Sequence, residues 1–112
     1  MFMLATNISF PELLAHTGQA ASLLKAISNE HRLMILCTLQ SGELSVGALN
    51  KSVSLSQSAL SQHLAVLRKD NLVATRRDSQ TIYYSIADDR VMMLMQTLQK
   101  MFSQQENDME LS

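Results

Sequence analysis

Near Leu72 the hydrophobic period of this sequence changes, and that change limits the folds open to the chain. Upstream, Leu60, Leu64 and Leu67 recur at i, i+4, i+7, the spacing that lines one side of a helix running from Ser56 to Asp70. Downstream, Val73–Arg77 and Thr81–Ile86 are rich in β-branched and aromatic residues and flank the polar tip Asp78-Ser79-Gln80, which predicts a β-hairpin. The tip lacks an Asn-Gly or Asp-Gly pair, so its turn type stays open.

The remaining segments read as helices. Ser9-Phe10-Pro11-Glu12 has the form of a capping box, and a first helix is expected over 9–27 through Leu13, Ala20, Leu23, Leu24 and Ile27. Asn29 can cap a second helix, in which Leu33, Leu36, Cys37 and Leu39 share an apolar side up to Ser41-Gly42. Ser45 opens a short third helix over Val46–Val53, and Ser56 caps the fourth. Asp88 or Asp89 starts a last helix, expected over 89–102, through Val91, Leu94, Met95, Leu98 and Met101. The polar residues 103–112 are expected to fray as a flexible tail. Two helices joined by the tight Ser54-Leu55 turn and followed directly by a hairpin make a winged helix-turn-helix. The predicted class is therefore mainly α, with about five helices and a two-stranded β-hairpin wing in a single domain over 1–112.

Composition agrees. With 46% hydrophobic and 17% charged residues the chain has enough apolar material for one core, and no apolar run nears the ~18 residues that cross a bilayer. One cysteine, Cys37, excludes an internal disulfide, and the N-terminus lacks signal-peptide features; a soluble cytoplasmic protein with no membrane partner is expected. The net charge of −1 hides an asymmetry: Lys51–Ser85 carries five cations against two anions, and Ala87–Ser112 two cations against five anions. No Gly-rich phosphate loop, HExxH motif or nucleophile elbow occurs, so neither an enzyme nor a cofactor is expected.

Four stretches together resemble one family: LLKAISNEHRLMILCTL (Leu23–Leu39), ELSVGAL (Glu43–Leu49), LSQSALSQHLAVLRKDNLV (Leu55–Val73) and RRDSQTIYYSI (Arg76–Ile86). They are similar to the ArsR/SmtB family of dimeric bacterial winged-helix regulators, and within it to the HlyU/BigR/SqrR-like group, from about Ala20 to Phe102. The resemblance implies a homodimer formed by the first and last helices, 9–27 and 89–102. It also implies binding to a double-stranded inverted-repeat operator, and action as a repressor or as an anti-silencer that displaces a nucleoid protein. Metal-sensing members carry two cysteines where this chain has Ser45 and Gly47, and His16, His31 and His63 lie outside the last helix, so no metal site is expected. Dithiol members pair a cysteine matching Cys37 with a second one at the place of Ser103. A bridge within one subunit is then unavailable, and only redox sensing through Cys37 itself remains open.

The polar face of the fourth helix is the candidate reading surface. Ordinary solvated helix faces favour Glu, Lys and Arg, whereas this one begins with Ser56, Gln57, Ser58, Ser61 and Gln62. Gln bonds adenine bidentately and Ser bonds bases or phosphates, so contact with DNA is the sharper reading; a capping Ser56 beside plain solvated surface is the blander one. His63 either donates to a phosphate, as its family position suggests, or packs against the preceding helix. Arg68, Lys69, Arg76, Arg77 and Gln80 form the expected backbone footprint, the alternative being a charged edge that discourages sheet pairing. Arg76 and Arg77 adjoin on a strand and point to opposite sides, so one is expected to meet phosphate and the other to be structural or to pair with Asp78. Cys37 is expected in the core, and Met92, Met93, Met95 and Met101 in packing or a dimer interface. Besides the DNA-binding regulator, two alternatives stand: a regulator responding to thiol chemistry at Cys37, and a winged-helix protein-interaction module without DNA binding.

Overall fold

The computed structural model describes residues 10–111, with side chains through residue 103, so the Ser9 half of the expected capping box lies outside it. The elements run α1 (Phe10–Ala15), α2 (Thr17–Ile27), α3 (Glu30–Leu39), β1 (Leu44–Ser45), α4 (Val46–Ser52), α5 (Gln57–Lys69), β2 (Val73–Asp78), β3 (Thr81–Ile86) and α6 (Asp89–Leu111). Nine core side chains are almost wholly buried: Ile35, Leu36 and Leu39 from α3, Leu49 from α4, Leu60, Leu64 and Leu67 from α5, and Val91 and Met95 from α6.

The caps read from the sequence hold. Asn29 Oδ1 accepts from the backbone N–H groups of His31 and Arg32, at 3.0 and 3.1 Å. Ser45 Oγ accepts from Ala48 N and Ser56 Oγ from Ala59 N, each at 3.1 Å. Of the two aspartates at the start of α6, Asp88, just before it, is the one that accepts, from Arg90 N at 2.8 Å. Asn71 ends α5 in the left-handed region, φ 59°, where Asn is tolerated, and Leu72 N–H closes back onto Leu67 O at 2.9 Å.

Four differences from expectation have physical reasons. The segment 9–27 is two helices, so the described residues hold six helices rather than five. The chain breaks at His16, just before Thr17-Gly18, a pair of poor helix formers, and Thr17 Oγ1 donates to Leu14 O at 3.0 Å. The sheet has three strands in the order β1-β3-β2, because the extended residues leading to the Ser45 cap pair with β3 (Leu44↔Tyr84, Ser45↔Tyr83); two residues are too few to show a period. The last helix runs to Leu111, past Phe102, since Gln, Glu and Met continue it and neither Gly nor Pro stops it. Finally, Cys37 is exposed rather than buried in the core. At about 100° per residue it is turned away from Leu36 toward α6, where Sγ lies 3.6 Å from Met95 Sδ.

Candidate nucleic-acid interface

Helix α5 stands on the core by Leu60, Leu64 and Leu67, which leaves Gln57, Ser58, Ser61 and Gln62 on the exposed side of its first two turns. The turn that aims it is fixed twice. Asn50 Nδ2 donates to Leu55 O at 3.0 Å, and Val53, 2% exposed, anchors the end of α4 in the core. Ser56 has its hydroxyl oxygen engaged as the cap, so its contribution is first to the start of the helix. Arg68 and Lys69 are exposed in the last turn of α5.

The wing is a two-residue hairpin, Asp78 pairing with Thr81 around Ser79-Gln80, with Ser79 at φ 58°. A serine there carries no glycine signal, which is why the sequence left the turn open. Gln80 is exposed at the tip and Arg77 on β2, and among the described residues Arg77 has no ion pair. Arg76 is committed elsewhere. Its Nε and Nη2 donate to the two carboxylate oxygens of Glu43 at 3.0 and 2.7 Å, and its guanidinium lies 4.5 Å from the centre of the Tyr83 ring. The partner is thus Glu43 rather than Asp78, and Arg76 ties the base of the wing to the residue before β1. That bond holds the Glu43 carboxyl below the ordinary carboxylate range and raises Arg76 further.

His63 is half-buried and leans on α3: its ring centre is 5.7 Å from that of His31. Burial, then the charges of Arg32 and His31, pushes its pKa down. Cys37 lies on the wall of a cavity of about 610 Å³ between α3 and α6, with Leu33, Gln40, Leu98, Gln99 and Phe102, and burial pushes its thiol up. Among the described residues no three His, Cys, Asp or Glu side chains converge as metal ligands, and no helix is long and apolar enough to cross a membrane.

The structure therefore leaves exposed the polar first turns and the basic last turn of α5 and, on the wing, Arg77 and Gln80. Glu43, Tyr83, Asn50 and His31, which support these elements, were not singled out from the sequence. Arg76 facing Tyr83 follows once the hairpin register is known. Glu43 had no local signal, because it precedes a strand only two residues long.

Comparison with known proteins gives this surface its class. Residues 29–75 match the family described as bacterial regulatory protein, arsR family. Over 103 residues the chain is 43% identical to the transcriptional activator HlyU of Vibrio cholerae, covering 92% of this chain and 95% of that one. The crystal structure of the transcriptional repressor BigR from Xylella fastidiosa superposes with a TM-score of 0.81 at 36% identity, over 85% of this chain and 97% of that one. A homodimeric winged helix-turn-helix DNA-binding domain from Mycobacterium bovis aligns at 29% identity and TM-score 0.71, over 91% of this chain and 94% of that one. Similar over nearly its whole length to such regulators, the chain belongs to the arsR family and is a winged helix-turn-helix DNA-binding transcriptional regulator, not an enzyme.

Proposed function

We propose that this regulator acts in the cytoplasm as a homodimer on an inverted-repeat operator, as a repressor or an anti-silencer, without sensing metal. The observation that carries the reading is the exposed Gln57, Ser58, Ser61, Gln62 face at the capped start of α5, flanked by the cationic end of that helix and by the wing. Similar proteins bear both names, an activator and a repressor. Absence of metal sensing is supported by Ser45, whose oxygen is engaged by Ala48 N, and by Gly47, which has no ligand to offer. Electrophoretic shift with a mixed-sequence duplex at two salt concentrations tests the reading. Salt-sensitive binding is expected, and its absence would leave the protein-interaction module in its place.

The two wing arginines should separate in such an assay. Arg77→Ala is expected to lower the log–log salt slope by ~0.9, as loss of one phosphate contact does. Arg76→Ala should weaken binding while leaving that slope nearly unchanged, because its charge is spent on Glu43. Equal slope changes in the two variants would return Arg76 to the phosphate footprint.

A thiol-responsive regulator is the second reading, favoured by one observation, the exposed Cys37 on the wall of the cavity between α3 and α6. Its raised pKa works against a fast response, because the thiolate is the reacting species. Iodoacetamide is expected to alkylate Cys37 more slowly than a small free thiol at about pH 8. A rate matching or exceeding the free thiol's would favour the sensor.

A further inference from the structure

Beside the reading helix lies a cluster of three basic side chains. His63, in the second turn of α5, faces His31 across 5.7 Å with the rings tilted by 42°, and both lie next to Arg32 at the start of α3. Arg32 is held there by its Nε, which donates to Ala26 O at 2.7 Å, and the backbone N–H groups of His31 and Arg32 are fixed by Asn29. Among the described residues none of the three makes an ion pair. Arg32 and His31, both from α3, oppose the protonation of His63. The acid of the same turn of α3 is Glu30, and β2, the strand that also packs on α5, carries Arg76, Arg77 and Asp78.

We propose that His31 and His63 form a proton-coupled phosphate site: a backbone phosphate of bound DNA seats against the two imidazoles, and the complex takes up a proton as it forms. The inference rests on the DNA-binding reading and extends the footprint from α5 and the wing to the start of α3. In the free protein, burial and then the neighbouring Arg32 and His31 disfavour the protonated His63 ring. A phosphate oxygen at hydrogen-bond distance reverses that balance, since an anion stabilises the imidazolium and a charge-assisted bond is about twice as strong as a neutral one. His63 follows Gln62 directly, about 100° further around α5, so the ring stands at the level of the polar face but on the side of α3. The sign follows from linkage. The complex binds more protons than the free partners, so affinity rises as pH falls through the range between the free and bound pKa values, and levels off below it.

The test is fluorescence anisotropy with a mixed-sequence duplex at about pH 8 and about pH 6, at one ionic strength, for the wild type, His31→Gln, His63→Gln and His16→Gln. The wild type and His16→Gln should gain about tenfold in affinity at the lower pH, as uptake of one proton over about one unit requires. His31→Gln and His63→Gln should each flatten the gain to within about threefold, and at low pH each should lose ~0.9 from the salt slope. His31 is exposed, so its variant decides the matter even where His63→Gln disturbs the packing of α5 on α3. A wild type without pH dependence, or one whose dependence survives both substitutions, overturns the proposal and leaves the DNA reading standing. A chain that binds no duplex at either pH overturns both.

Discussion

Gln57→Ala combined with Gln62→Ala is expected to remove about 2–6 kcal/mol of specific DNA affinity while leaving non-specific binding within a few-fold of wild type. The size follows from two bidentate base contacts at roughly 1–3 kcal/mol each, and the selectivity from the absence of charge on either side chain. Both residues are exposed, and alanine is the best helix former, so α5 keeps its seat on Leu60, Leu64 and Leu67. The Ser56 cap, which bonds Ala59 N, is likewise untouched. Affinity measured against a duplex selected from a random pool and against an unrelated duplex checks the expectation. Equal losses on both would mean that this face meets only backbone, and that Arg68, Lys69 and Arg77 carry recognition through position alone.

How much of this site the sequence revealed depends on the range of the interaction concerned. The α5 face was legible because its period is local and a serine cap marks its start, and both appear at the expected positions. The hairpin was legible from β-branched and aromatic content, though its tip is Ser79-Gln80 and not the expected Asp78-Ser79-Gln80, because Asp78 pairs with Thr81. Arg76 was half legible: strand alternation separated it from Arg77, but its true partner lies thirty-three positions upstream, and no period links Glu43 to the wing. Cys37 misled for a simpler reason. It sits among leucines in the chain, yet one step around the helix from Leu36 takes it from the core to the α6 side. The helix break at His16 was hidden by an apolar pattern that continues across it, from Leu13 and Leu14 to Leu23 and Leu24.

Phe10→Glu together with Phe102→Glu is expected to give a folded monomer whose affinity for an inverted repeat falls by about a hundredfold or more. The two phenylalanines are 70% and 59% exposed, and Leu13, Leu14, Met93 and Met101 on the same two helices are exposed as well. Scattered surface apolar residues are ordinary, but large ones gathered on α1 and α6, within the segments 9–27 and 89–102 that the family resemblance implies for pairing, fit a face that a second copy covers. Burying a phenyl ring is worth roughly 1.5–3 kcal/mol, and a two-fold interface buries each of the two rings twice. A carboxylate at either place would have to be desolvated without a partner, so the substitutions act against the dimer and not only by lost contact. The fold should survive, because neither ring belongs to the core of Ile35, Leu36, Leu60, Leu64, Leu67, Val91 and Met95. The large loss at the operator comes from geometry: in the dimer the second reading helix arrives at its half-site at an effective concentration of about millimolar, and in the monomer it does not arrive at all. Sedimentation velocity beside far-ultraviolet circular dichroism tests this, with affinity for a single half-site as the internal control. A variant that remains dimeric, or a monomer that binds the full repeat as tightly as the wild type, would place the interface elsewhere than on α1 and α6.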